Sequence, residues 1–270
     1  MLTAVSIPWR HRSCNIHQYT LIMIPKTIHY CWFGHNPLPP LAVKCIESWR
    51  KFLPDYEIKE WNEENFDINI IPYTAEAYKA KKYAFVSDYA RFWILYHYGG
   101  LYFDTDVEVI RPMDDIIERG PFMGCESDAN QSLGLGVNPG LGLGVTPGLG
   151  LYQELLNYYE KLHYLSSDGN IIEQQTIVHH TTKLLRQHGL SEVSGIQQVA
   201  GIYIYPYEYF NPTNLVTHRQ HITSNTRTIH WYAATWRNKR TSFLKKALCS
   251  ILPERFLLWY NKIKRRILTA

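Results

Sequence analysis

The sequence predicts an α/β protein in which a Rossmann-like, mixed but mainly parallel sheet is flanked by helices. Two runs with the composition of buried strands, Lys26–Gly34 and Tyr56–Trp61, enclose an amphipathic helix at Leu41–Phe52. Strand, helix and strand within about 35 residues make a βαβ unit, and such units build parallel sheets covered by helices. With 270 residues, of which 46% are hydrophobic, the chain can bury one sizeable core.

Each of these elements has its own signal. The first strand is aromatic and β-branched, and it lies between Pro25 and Gly34. The helix that follows places Ile46 and Trp49 on one face and stops before Pro54. One main domain over residues 23–238 is therefore the expected organisation, after an unpatterned extension at residues 1–22.

A second helix is predicted over Tyr83–Tyr98, where Gly99 and Gly100 end it. Five aromatic residues repeat along one helical stripe of this segment: they are Phe85, Tyr89, Phe92, Trp93 and Tyr96. Asp88 and Arg91 are three residues apart, so their side chains project from one face of the helix as a pair.

Residues 133–148 form a tandem octapeptide, LGLGVNPG followed by LGLGVTPG. The glycines fit neither the dinucleotide-binding pattern nor a phosphate-binding P-loop. We predict turn structure for this segment, with a small-residue loop or strand pair that lines a cleft as the alternative. Further helices are predicted at 151–165 and 176–188, and further strands at 201–206 and 228–231.

Two aspartates follow the apolar strand Leu101–Phe103, in the sequence Asp104-Thr105-Asp106. Ligands of open α/β sheets bind at the carboxyl ends of strands. Two carboxylates this close repel each other unless a positive charge lies between them, and Mg²⁺ or Mn²⁺ is a suitable counter-charge. Such a cation binds carboxylate and phosphate oxygens together, which would suit a nucleoside diphosphate.

The charge distribution argues against a general nucleic-acid-binding protein. Residues 237–270 contain ten Lys or Arg and one Glu, so the remaining chain has 18 basic and 23 acidic residues. A nucleic-acid binder would spread positive charge over a folded face. The tail at residues 239–270 instead combines basic and apolar residues, the pattern of an interfacial segment, and we expect it to contact a membrane surface.

Compartment and thiol chemistry follow from composition. The five cysteines are widely spaced and form no Cys-x-x-Cys pair, which predicts reduced thiols. No apolar run is long enough to span a bilayer. We therefore expect a cytoplasmic protein that is peripheral on the inner face of the cytoplasmic membrane.

Four segments together resemble glycosyltransferase family 32, which is characterised by an Asp-x-Asp sugar-binding motif. The segments occur in the family's order across residues 23–236: they are IPKTIHYCWFG from Ile24, FVSDYAR from Phe85, YHYGGLYFDTDV from Tyr96 and IHWYAATW from Ile229. The resemblance implies a GT-A fold, a divalent cation and transfer of a sugar with retention of its anomeric configuration.

The resemblance also implies roles for individual residues. Asp106 matches the metal-ligating aspartate, and His230 matches a late histidine that contacts the metal or a phosphate. Asp88 and Arg91 match a pair that binds hydroxyl groups of the donor's sugar and ribose, with a structural ion pair as the alternative interpretation. Asp104 matches an aspartate that contacts ribose or sugar hydroxyl groups. These aspartates and Arg91 are the expected catalytic set, in electrostatic and positioning roles rather than as a nucleophile.

Three further residues match positions that contact the donor. Trp32, after the first strand, matches a residue that stacks on the nucleotide base, with a core tryptophan as the alternative interpretation. Trp236 matches a tryptophan that closes over the diphosphate. Thr235 keeps the hydroxyl group of the serine that is common in the family.

These observations predict a metal-dependent retaining hexosyltransferase. Its donor would be a UDP- or GDP-hexose, and its acceptor a glycan or a lipid-linked oligosaccharide in capsule, exopolysaccharide or lipopolysaccharide synthesis. A catalytically silent sugar-nucleotide or carbohydrate-binding protein with the same fold is the alternative.

Overall fold

The computed structural model describes residues 23–128, 134–172, 175–215, 217 and 219–233. The strands of this part of the chain are β1 Thr27–Cys31, β2 Glu57–Trp61, β3 Gly100–Tyr102, β4 Val107–Val109, β5 Phe122–Ser127, β6 Gly136–Val145, β7 Gln197–Val199, β8 Ile202–Tyr205 and β9 Thr228–His230. The helices are α1 Pro40–Phe52, α2 Pro72–Lys79, α3 Tyr83–Tyr98, α4 Asp114–Ile117, α5 Gly150–Tyr159, α6 Ile177–Gln187 and α7 Tyr207–Phe210.

A seven-stranded sheet in the order β2-β1-β3-β6-β5-β8-β7 is the centre of the fold. Strands β1, β2, β3, β5 and β8 run in one direction, and β6 and β7 run in the opposite one. A separate two-stranded sheet pairs β4 with β9 in antiparallel fashion. The α/β class and the mixed, mainly parallel sheet with flanking helices are thus confirmed.

Helices cover both faces of the sheet. On one face, α3 and α5 contact each other through Phe92 and Tyr152, whose ring centroids are 5.1 Å apart. On the other face, α1 buries Trp49 against Phe103, with ring centroids 5.4 Å apart. The indole of Trp49 also donates a hydrogen bond of 2.8 Å to the carbonyl of Val107. This one side chain therefore connects α1, the end of β3 and the start of β4.

The prediction for the octapeptide repeat was wrong in its preferred form. Residues 136–145 are one ten-residue strand, β6, and every residue of it is buried. The strand lies between β3 and β5, where packing from both sides of the sheet outweighs the turn preference of glycine and proline. Helix α5 is also shorter than predicted, since it ends at Tyr159.

Several predictions concern residues outside the described part of the chain. They are the N-terminal extension at 1–22, the basic tail at 239–270, and the donor-binding residues Thr235 and Trp236. Within the described residues, no helix combines the length and the apolar character needed to cross a membrane.

Truncation of Trp49 tests this account of the core. Trp49→Ala removes a fully buried indole and its hydrogen bond, and should lower the free energy of unfolding by about 3–5 kcal/mol. Val43→Ala on the same helix is the control, because Val43 is 46% exposed and should change that free energy by less than about 0.5 kcal/mol. Urea denaturation of both variants measures the difference, and equal midpoints would contradict the assignment of Trp49 to the core.

Candidate functional site

Asp104 lies two residues beyond the end of β3, at the carboxyl edge of the central sheet. Its backbone N–H donates to the carbonyl of Gly140 on β6 (3.0 Å), and its carbonyl accepts from the N–H of Val107 (3.0 Å). The second hydrogen bond closes a tight turn over Thr105 and Asp106. The turn leads from the central sheet into β4, so the two aspartates lie between the two sheets.

Arg91 on α3 forms an ion pair with the Asp104 carboxylate. Its guanidinium lies 2.9 Å from Asp88 Oδ1 and 3.3 Å from Asp104 Oδ1, and its Nε donates to the carbonyl of Ser87. The Arg91 side chain is only 4% exposed. Tyr102 adds a hydrogen bond of 3.3 Å to Asp104, and its ring lies 5.0 Å from the guanidinium. The Asp88–Arg91 pair predicted on one helix face is therefore present and is joined to Asp104.

Asp106 is held by residues that come more than 120 positions later in the chain. Strand β9 pairs with β4 so that His230 lies opposite Val107. His230 Nε2 is 3.0 Å from Asp106 Oδ1, and the N–H of Ala233 donates to Asp106 Oδ2 at 2.8 Å. The N–H of Trp231 donates to the Asp106 carbonyl. Both the backbone and the carboxylate of Asp106 are thus fixed by His230 at the end of β9 and by the residues that follow it.

Asp104, Asp106 and His230 form a group that suits a divalent cation. One potential ligand atom of each residue lies within 4.8 Å of those of the other two. Carboxylate oxygen and imidazole nitrogen together are a donor set that Mn²⁺ accepts. The His230 nitrogen that faces Asp106 is Nε2, and the buried Nδ1 makes no hydrogen bond within the described structure.

The two aspartates differ in their electrostatic surroundings. Burial raises the pKa of Asp104, and the Arg91 charge only partly opposes this effect. Burial acts on Asp106 in the same sense, but His230 and the N–H of Ala233 outweigh it, so the pKa of Asp106 is lowered. Burial alone would lower the pKa of His230, whereas the Asp106 and Asp104 carboxylates raise it above its ordinary value.

Trp32 lies one residue beyond β1, which pairs in parallel with β3. The register places His29 opposite Tyr102, so Trp32 reaches the same edge of the sheet as Asp104. Its indole is half-buried rather than part of the core, and it donates a hydrogen bond to the carbonyl of Asn36. This position leaves base stacking by Trp32 open as a prediction.

Comparison with known proteins identifies the segment that carries these side chains. Residues 39–123 match the family described as a glycosyltransferase sugar-binding region containing a DXD motif. This segment is therefore similar to DXD glycosyltransferases. The resemblance inferred from the sequence motifs is thereby confirmed for the part that contains Asp88, Arg91, Asp104 and Asp106.

Individual relatives of the DXD glycosyltransferase segment share only part of their length with this chain. Inositol phosphoceramide mannosyltransferase 1 of Schizosaccharomyces pombe is 30% identical over 111 residues, which is 37% of this chain and 33% of that protein. Inositol phosphoceramide mannosyltransferase 3 of the same yeast is 35% identical over 98 residues, which is 35% of this chain and 27% of that protein. The chain thus spans about a third of the length of these curated relatives.

Among solved structures, a glycosyltransferase involved in glycosylation of the major capsid of PBCV-1 covers 84% of this chain, and the alignment includes 100% of that protein. The two share 11% sequence identity, and the superposition has a TM-score of 0.44.

Sequence reasoning missed Gly140, which determines how closely β6 approaches the DXD motif. A Cβ atom at this position would lie 2.0 Å from Asp104 Oδ2 and 3.1 Å from Arg91 Nη1. Only a residue without a side chain leaves room for the Asp104–Arg91 pair. The octapeptide repeat was the available signal, but the repeat by itself does not reveal which of its glycines lies against a carboxylate.

Gly140→Ala should therefore damage the DXD site. The added methyl group must displace the Asp104 carboxylate, and we expect Mn²⁺ affinity to fall about tenfold or more, with a stability loss of about 1–3 kcal/mol. Gly150→Ala is the matched control because a Cβ there would meet no atom within 4 Å. Calorimetric titration with Mn²⁺ and thermal unfolding measure both effects, and equal Mn²⁺ affinity in the two variants would refute this role of Gly140.

The binding of Mn²⁺ should depend on pH through His230. Imidazole must be neutral to bind a metal. The carboxylates raise the pKa of His230 above 6.5, so protons still compete with the metal at pH values somewhat above 6.5. Mn²⁺ affinity should weaken by up to about tenfold per unit as pH falls below the raised pKa.

His230→Gln is the comparison for this prediction, because glutamine does not titrate. Its weaker Mn²⁺ affinity should vary much less over roughly pH 6 to 8. Parallel pH profiles in the wild type and in His230→Gln would exclude His230 as the titrating ligand.

Proposed function

We propose that this protein is a metal-dependent glycosyltransferase that moves a hexose from a nucleotide-diphosphate sugar to a glycan or lipid-linked acceptor. The observation that carries the proposal is the group of Asp104, Asp106 and His230 at the sheet edge, joined through Asp104 to the buried Arg91–Asp88 pair. The match of residues 39–123 to the DXD glycosyltransferase family supports the reaction class.

Mn²⁺ or Mg²⁺ held by Asp106 and His230 would stabilise the negative charge of the departing nucleoside diphosphate. The protein's own groups would position the donor. Arg91 and Asp88 supply fixed hydrogen-bonding groups at the floor of the site, and Asp104 presents a carboxylate to sugar or ribose hydroxyl groups. Trp32 would stack on the base, and the predicted contacts of Thr235 and Trp236 would complete the donor site.

The relatives suggest a narrower substrate class. Two of them are named as mannosyltransferases of inositol phosphoceramide, which makes a mannose donor and a glycolipid acceptor the first substrates to test. Retention of configuration, a role in surface polysaccharide synthesis and peripheral membrane contact through the basic tail belong to the same proposal, and they rest on the sequence alone.

Asp106→Asn tests the proposal. The substitution keeps the size of the side chain but removes its charge, so Mn²⁺-dependent release of nucleoside diphosphate should fall about a hundredfold or more. Asp55→Asn is the control, because Asp55 is 76% exposed and lies before β2, at the opposite edge of the sheet. A panel of UDP- and GDP-hexoses, each with Mn²⁺ and with chelator, provides the assay.

Three outcomes of this assay are informative. Wild-type turnover by Asp106→Asn, or full activity with chelator, would overturn the metal assignment. If donors with Mn²⁺ raise the unfolding temperature of the wild type but no donor is turned over, the protein is the catalytically silent binder instead.

A further inference from the structure

Glu126 lies across β6 from Asp104, at the carboxyl end of β5. Its Oε2 accepts a hydrogen bond of 2.9 Å from Asn138 Nδ2, and Asn138 Oδ1 accepts one of 2.8 Å from the N–H of Gly140. The carbonyl of Gly140 in turn accepts from the N–H of Asp104. A continuous series of hydrogen bonds therefore fixes the Glu126 carboxylate relative to the DXD motif.

On the other side of Glu126, Asn211 connects its backbone to Tyr232, which lies two residues after β9. Asn211 Nδ2 donates to the Glu126 carbonyl (3.1 Å) and to the hydroxyl of Tyr232 (2.7 Å). The Tyr232 ring lies 4.0 Å from the ring of His230. Glu126 is close enough to His230 for its charge to raise the pKa of that imidazole. The Glu126 carboxylate thus lies on the same side of the site as the proposed metal ligand His230; this side, formed by Glu126, Tyr232 and His230, is called the polar wall.

The surroundings of Glu126 are unfavourable for a residue with only a structural role. The carboxylate is half-buried, it makes no direct ion pair with a described residue, and its Oε1 accepts no hydrogen bond from the described residues. Burial raises its pKa accordingly. A glutamine would bond to Asn138 equally well without this electrostatic cost. A carboxylate here is explained if a ligand supplies the missing hydrogen-bond donors.

We propose that Glu126 accepts hydrogen bonds from hydroxyl groups of the transferred sugar and restricts the donor to neutral hexoses. This inference rests on the proposed function. Asp104 has Arg91 as its counter-charge, and Asp106 has His230, whereas Glu126 makes no comparable ion pair with any residue that the structure describes. A sugar that carries its own carboxylate would bring a further negative charge next to Glu126 and be rejected.

The test compares a donor that carries a neutral hexose with one that carries the hexuronic acid of the same configuration. Both sugars are linked to the same nucleoside diphosphate, which is whichever of uridine diphosphate and guanosine diphosphate the wild type binds more tightly. In the presence of Mn²⁺, the wild type should bind the hexose donor at least about tenfold more tightly than the hexuronic acid donor. Glu126→Gln should reduce this ratio about fivefold or more. The affinity of the free nucleoside diphosphate, which lacks the sugar, should not change.

Glu64→Gln is the matched control, since Glu64 is exposed in the loop after β2. Glu126→Ala, with thermal unfolding as a check on the fold, should lower affinity for the hexose donor as well. If Glu126→Gln keeps the wild-type ratio of hexose-donor to hexuronic-acid-donor affinity and binds the free nucleotide normally, only the inference about Glu126 is overturned. Failure of the wild type to bind any nucleotide with Mn²⁺ would overturn the proposed function and this inference with it.

Discussion

The buried ion pair between Arg91 and Asp104 is the constraint on which the site depends. A guanidinium with a side chain only 4% exposed must have carboxylate partners, because an unpaired buried charge costs several kcal/mol. Asp88 comes from the same helix and is available wherever α3 lies. Asp104 comes from the end of β3, so its contact with Arg91 couples the position of α3 to the carboxyl edge of the sheet.

The contact between Asp104 and Arg91 also requires free space at β6, the strand beside Asp104. Space for the Asp104–Arg91 pair exists because residue 140 is glycine, and the next two glycines of β6 serve the same purpose elsewhere. A Cβ at residue 142 would lie 3.1 Å from the Phe103 ring, and one at residue 144 would lie 2.1 Å from the Phe122 ring. The glycines of the repeat therefore allow side chains from neighbouring strands to pack directly on the backbone of β6.

Local patterns predicted much of the fold and part of the site. Helix α3 was predicted with its observed bounds, because its aromatic stripe and the two glycines after it are signals contained in one segment. Strand β6 was missed because its proline and glycines were weighed as turn residues. Pro139 is tolerated because the pairing of β5 with β6 shifts from Asn138 to Leu143 around it, so no ladder hydrogen bond to β5 is lost there.

Long-range contacts explain what the sequence could not provide. Glu126 and Asn138 have no motif around them, and their relation to Asp104 exists only because β3, β6 and β5 are neighbours in the sheet. The location of His230 beside Asp106 similarly requires the pairing of β4 with β9. The family resemblance suggested His230 as a ligand, but residue spacing alone would not have done so.

Asp104 and Asp106 have different electrostatic environments, which suit them to different proposed roles. Asp106 has a lowered pKa and a backbone donor on one oxygen, so it stays ionised at neutral pH whether or not a cation is present. Asp104 has a raised pKa and depends on Arg91 for its charge balance. A site of this kind would keep one constant negative charge for the proposed metal. Its second carboxylate is sensitive to its hydrogen-bond partners, as suits a group that exchanges contacts with sugar hydroxyls.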